Sequence, residues 1–245
     1  MKKLVLIFFI LLIPSCTQNY NWGWYILNPR LESGFSNLQF LLSGLSITIS
    51  ISLLSIFFSL LIGFFVSLLD MSPTKIFIWI NRFYIEIFRS VPLLVLLLWV
   101  YYGLPVIFGI SFGPFVAGII SLAISDSAFE AEIFRAGLQS ISKGQRDAAK
   151  SIGLNKYQEM RFIILPQALR IILPAIGNQF VYVLKMSSLV SIIGLADLTR
   201  KANELVVSVY RPLEVYTFLV LEYLILILII SFFVRKLEKK LKTNL

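Results

Sequence analysis

The sequence predicts an all-α integral membrane protein, a bundle of five transmembrane helices with a short helical loop on the cytoplasmic side. Three observations carry that expectation. Of 245 residues 58% are hydrophobic and only 14% charged, and the mean hydropathy of +0.86 lies outside the range of soluble domains. Uncharged runs long enough to cross a bilayer recur along the chain. The 22 Lys and Arg, against 13 Asp and Glu, gather between those runs rather than within them. Histidine is absent and Cys16 is the single cysteine, so disulfide frameworks, zinc clusters, His-based catalytic triads and His-ligated haem lack their ligands. No metal or other cofactor is expected.

Lys2 and Lys3 precede an apolar stretch over residues 4–13. Ten helical residues rise about 15 Å, half of a hydrocarbon core of about 30 Å, so residues 1–16 read as a signal peptide or signal anchor rather than a span. Ile13-Pro14-Ser15-Cys16 resembles a bacterial lipoprotein processing box, with proline where a small or β-branched residue is preferred. The alternative is an uncleaved anchor with a buried cysteine. Residues 17–40 form a polar, aromatic outer segment, in which Tyr20, Trp22, Trp24 and Tyr25 suit an interfacial belt or an outer helix.

The first span is expected over residues 45–69, about 37 Å of helix. The next uncharged run, 90–125, is too long for one crossing and is broken by Gly103-Leu104-Pro105 and Phe112-Gly113-Pro114. It therefore divides into a helix ending near Tyr102, an outer turn, and a helix starting at Pro114, since proline suits a first helical turn. Helices over 114–135 and 164–186 carry Ser125, Asp126, Ser127, Glu130 and Glu132 in one, and Asn178, Gln179 and Lys185 in the other. Ionisable groups in hydrocarbon cost several kcal/mol, which places these two helices in the bundle interior. The last span is expected over 215–234. Its Glu222 should pair with Lys185 or line a cavity, and Glu86 with Arg89 should form an i,i+3 pair.

Charge fixes the expected orientation. Residues 135–165 hold six basic and two acidic side chains, the tail from Arg235 five and one, and Lys2 with Lys3 adds two. The positive-inside rule puts all three regions in the cytoplasm, the carboxyl terminus included, and accounts for the basic excess without nucleic acid. Five crossings from an external residue 17 give the same answer.

The loop over 141–166 reads as two short capped helices. Ser142 with Gln145 and Asn155 with Gln158 are capping-box pairs, and Gly153 suits a left-handed helix stop. A helix of about ten residues is marginal alone, so this one should dock on a partner. Ala148 and Ala149 offer a face low enough to enter a groove.

These residues carry a resemblance. Asp147-Ala148-Ala149, three residues, Gly153, nine residues, Ile163, one residue and Leu165-Pro166 resembles the EAA loop of ABC importer permeases, with aspartate for the usual glutamate. Glu86-Ile-Phe-Arg-Ser-Val-Pro, Tyr102-Gly-Leu-Pro, Phe129-Glu-Ala-Glu-Ile-Phe-Arg-Ala-Gly and Ile164-Leu-Pro-Gln-Ala-Leu-Arg are similar to the polar-amino-acid permease family. The resemblance covers residues 41–240 and implies a type I permease domain in a bacterial inner membrane. It implies a second permease, identical or related, two cytoplasmic ATPase subunits and an outer amino-acid-binding protein as partners. It makes Asp147, Ala148, Ala149, Gly153, Leu165 and Pro166 the ATPase-coupling residues. The chain has no Gly-x-x-x-x-Gly-Lys-Ser/Thr run, so ATP hydrolysis would come from another chain and this one is no enzyme. The expected function is import of a polar or charged amino acid. Ser125, Ser127 and Glu130 would meet the substrate, Glu130 its ammonium, and Lys185 its carboxylate. Met186 stands where the family commonly has a polar residue, which weakens inference in that segment. Two other readings remain open: an ion-coupled secondary transporter, and a membrane anchor that recruits a cytoplasmic protein.

Overall fold

In hydrocarbon a backbone N–H finds no water, so uncharged runs become helices that satisfy their own main chain. A computed structural model describes residues 20–242. The targeting segment 1–16 lies outside them. Among the described residues the chain is helical and without strands: α1 Glu32–Leu42, α2 Leu45–Asp70, α3 Lys75–Ser90, α4 Leu93–Phe108, α5 Pro114–Gln139, α6 Lys143–Ser151, α7 Lys156–Ile193, α8 Leu198–Val209 and α9 Pro212–Lys242. Four of the apolar helices are long enough to cross a membrane, and α3 with α4 makes a fifth if that bent pair counts as one span.

That pair corrects the expected second span. The element starts at Lys75 rather than near 90, and it turns by 97° between α3 and α4. Val91 is extended, with φ −80° and ψ 123°, because the residue before a proline is pushed out of the helical region and Pro92 follows. The helix then passes Tyr102 and ends at Phe108, with Gly109 left-handed at φ 68°. Trp99–Gly103 within α4 and Glu159–Ile164 within α7 are π-helical, and each ends two residues before a proline, Pro105 and Pro166. Proline lacks the donor for the i−4 carbonyl and its ring crowds that group, which widens the preceding turn.

The loop over 141–166 also departs from expectation. Only α6 is a separate short helix. The second, opened by Asn155, runs without a break into the span that follows, as α7.

Helix α2 packs along α5 through small residues. Thr48, Ser52, Ser55, Ser59, Gly63 and Ser67 recur every three or four positions and are buried. Several of the buried hydroxyls bond back to their own helix, as Ser52 Oγ does to the Thr48 carbonyl at 2.7 Å and Ser121 Oγ to that of Ala117 at 2.7 Å. With no gain from excluding water inside lipid, close backbone approach is what holds such a pair. A Cβ at Gly63 would lie 2.6 Å from Glu130 Cβ and 2.9 Å from the Ser127 carbonyl oxygen.

Two apolar clusters fill the end at which α2, α5 and α9 begin and α7 finishes. Ile51, Leu97, Val100, Ala117, Leu122 and Val190 bring α4 and the end of α7 onto the α2–α5 pair. Ile26, Leu27, Leu41, Ala202, Leu205 and Val215 join the amino-terminal turn, α1, α8 and α9. A polar clasp fastens the same end: Glu214 accepts hydrogen bonds from Tyr20 OH at 2.6 Å and from the Gly23 N–H, and Arg211 donates to the Asn21 carbonyl at 2.8 Å. Trp22 stacks on Trp24, both exposed, consistent with an interfacial belt.

Candidate functional site

Two places carry chemistry. The first is α6 and the turn after it. Ser142 occupies the N-cap position, but its side chain makes no capping bond; the Gln145 N–H reaches the Ser142 carbonyl instead, at 3.2 Å. The expected box at Ser142 is therefore absent. At Asn155 the box forms in both directions, each bond 2.9 Å. Gly153 is left-handed, φ 80°, and the Leu154 N–H closes on the Ala149 carbonyl at 3.1 Å, so the helix stops where its glycine permits.

The two alanines differ in exposure. Ala149 is 2% exposed and packs into its own chain, whereas Ala148 and Asp147 are exposed. The sequence places both alanines on one entering face, and only Ala148 is there. A helix turns 100° per residue, so adjacent positions cannot share a narrow face. Ile152, 73% exposed, lies in the turn beyond. Leu165 and Pro166 are exposed at the foot of α7. Arg146 ties α6 to the end of α5 by donating to the Leu138 carbonyl at 2.9 Å. The arrangement is a small helix, braced on one side, with Asp147, Ala148 and the flanking Lys143 and Lys150 left open.

The second place is a polar seam inside the bundle. Asp126 on α5 accepts from Ser59 Oγ on α2 at 2.6 Å and from Gln179 Nε2 on α7, so one carboxylate joins three helices. One turn further along α5, Glu130 is wholly buried and neither carboxylate oxygen has a hydrogen-bond partner. Ser127 meets Tyr84 OH of α3 at 2.7 Å, and Ser125 is half-buried. Lys185 is exposed and forms no ion pair with Glu130 or Glu222. The expected Lys185–Glu222 pair is thus absent. Glu222 sits in an apolar groove with Leu42, Leu45, Phe218 and Ile225, its oxygens unpartnered. Nor does Arg89 pair with Glu86: it bridges Glu132, 43 residues away, and lies over the Phe129 ring at 5.1 Å.

Sequence reasoning noted Asp126 and Gln179 without pairing them, and missed both Ser59, which joins them, and Tyr84, the partner of Ser127. Two signals point there: a carboxylate one helical turn before Glu130 on an apolar helix, and the three-and-four spacing of the serines. Neither reveals that the two helices meet.

A span-rich bundle with a braced, exposed short helix defines a multi-pass membrane component. Residues 59–243 match the family described as "Binding-protein-dependent transport system inner membrane component", and the chain belongs to it. It is a multi-pass inner-membrane permease that works with ATPase and substrate-binding partners, not an enzyme. Among curated relatives, the arginine transport system permease protein ArtQ of Bacillus subtilis is 37% identical over 89% of this chain and its own full length. The glutamine transport system permease protein GlnP of Escherichia coli is 34% identical over 84% of this chain and 94% of its own. A crystal structure of an amino acid ABC transporter with histidines shares 38% identity at a TM-score of 0.83, over 90% of this chain and all of that one. The MetNI methionine ABC transporter, 24% identical with a TM-score of 0.71 over 83% of this chain and 97% of its own, shares the fold.

Proposed function

We propose that this permease imports a polar or charged amino acid, that it works as one of two permease chains, and that its domain over residues 41–240 is driven through α6 with the carboxyl terminus in the cytoplasm. The observation that carries the reading is α6 itself. It is anchored by buried Ala149 and by Arg146, ended by Gly153, and open along Asp147 and Ala148, so a partner seated on that face moves α5 and α7 as rigid rods. Asp147, Ala148, Ala149, Gly153, Leu165 and Pro166 form the coupling element in this reading. ATP-driven closure of the partner then becomes alternating access between two packings of the bundle.

Similarity to arginine and glutamine permeases supports the substrate class. So does a seam supplied with hydroxyls and carboxylates. Ser125 and Ser127 lie along it, and Lys185 is accessible to a carboxylate. Glu130 would reach a substrate ammonium only when α2 and α5 part, which is the movement alternating access requires.

The test is uptake into vesicles holding this permease with its ATPase and binding protein. Labelled L-arginine or L-glutamine should accumulate only with internal ATP, and Ala148→Glu should abolish both uptake and copurification of the ATPase. Uptake that follows a proton gradient without ATP would refute the reading. Unchanged uptake at low substrate in Glu130→Gln would remove that residue from the path.

A further inference from the structure

A cavity of about 670 Å³ lies between α3 and the ends of α2 and α5, away from the seam. Asp70, Arg82, Glu86, Arg89, Glu132 and Arg135 supply its charge, three acids and three bases. Glu132 is already engaged, bridged by Arg89 and at 3.7 Å by Arg135. Arg82 and Glu86 stand one helical turn apart on α3, yet neither forms an ion pair among the described residues. A cation that precedes an anion by four residues is the weaker helical arrangement, and Arg82 and Glu86 do not come within ion-pair distance of each other. Asp70, across the cavity at the end of α2, forms no ion pair either.

This pattern selects by charge. An inorganic anion on Arg82 would face Glu86 and Asp70, and a simple cation on Glu86 would face three guanidinium groups. A molecule with a carboxylate and an ammonium a few ångströms apart satisfies both sets, the carboxylate on the planar fork of Arg82 and the ammonium on Glu86 or Asp70. We propose that this cavity is a cytoplasmic binding site for a free zwitterionic α-amino acid, through which accumulated product slows further import.

The position explains the effect. The cavity adjoins a second, of about 260 Å³, that shares Asp70, Arg135 and Gln139 and reaches Arg146 of α6. A bound amino acid would brace α3 against α2 beside the joint between α5 and the coupling helix. Any packing in which these elements separate loses that contact, and a ligand favours a state by its differential affinity. The proposal rests on the orientation and transport reading above.

The experiment uses vesicles of the complete importer with ATP inside, and whichever of L-arginine and L-glutamine is taken up serves as the labelled external substrate. Initial uptake is compared with and without the same compound, unlabelled and millimolar, inside. Internal amino acid should slow uptake several-fold, whereas its decarboxylated amine and its N-acetyl derivative, each lacking one charge, should not. Arg82→Gln and Glu86→Gln should each raise the internal concentration for half-inhibition about tenfold, the loss of one charge-assisted contact. Both side chains are exposed, and inhibition is read as a ratio within each variant. Equal inhibition in variants and wild type, equal inhibition by either derivative, or ATP-driven uptake indifferent to internal amino acid would each overturn this site alone. Absence of ATP-driven uptake would instead overturn the transport reading on which it stands.

Discussion

Gly63→Ala tests the close approach of α2 to α5. The added methyl would lie 2.6 Å from Glu130 Cβ, 2.9 Å from the Ser127 carbonyl oxygen and 3.0 Å from the Ala131 nitrogen. Ordinary carbon contacts are about 3.5–4.0 Å, so α2 and α5 must part by about 1 Å. Overpacking of this kind costs about 1–3 kcal/mol. Ser59 stands one turn away, and at about 1 Å beyond its present 2.6 Å its bond to Asp126 no longer meets hydrogen-bond geometry, a further loss of about 1 kcal/mol. Alanine's better helix propensity returns about 1 kcal/mol. The net is about 1–3 kcal/mol, which for a chain of this size lowers Tm by about 2–12 °C. Thermal unfolding of the purified permease in detergent measures it. Gly113→Ala, with nothing within 4 Å of the new methyl, is the control and should leave Tm unchanged. If Gly63→Ala unfolds with the control, the two helices are not held by that contact.

Gly153→Ala places a side chain at φ 80°, at a cost of about 1–2 kcal/mol, and should weaken ATPase copurification more than it lowers Tm. Arg89→Glu combined with Glu132→Arg should recover what either change alone loses; because both side chains are about a third or more exposed, the coupling in a double-mutant cycle should be below about 1 kcal/mol. Asp197 caps α8 by accepting from the Arg200 N–H at 2.8 Å, and burial pushes its carboxyl up to about 6 despite bonds from the Arg200 and Thr199 backbone. A folded-state value above the unfolded one of about 3.9 means that protonation favours the fold. Its contribution is full below about pH 4 and is lost as pH rises through about 6. Asp197→Asn should flatten that part of the stability profile, read as Tm against pH.

Local chemistry was legible from the residues. The boundaries of α2, the start of α5 at Pro114, the Asn155 box and the Gly153 stop all depend on side chains within a turn or so of the backbone they act on. Hydropathy marked the long spans for a related reason: each must satisfy its own main chain in lipid, whatever surrounds it. The Ser142 box failed although its residues are right, because the Gln145 N–H found a backbone carbonyl first. The bend after Ser90 was hidden because α3 carries charges, and a search for uncharged runs starts too late to see it.

What the sequence determined by itself is therefore the class of the molecule, a helical membrane protein whose loop motif resembles that of importer permeases, because composition, span length and loop motif are properties of contiguous residues. Only the tertiary structure decided which groups meet. It chose Glu132 over Glu86 for Arg89, brought Ser59 and Gln179 to Asp126, left Glu222 without Lys185, and turned Ala149 inward while Ala148 faces out. Those outcomes follow from how closely small residues let distant helices approach and at what rotation, and spacing along one chain does not encode either.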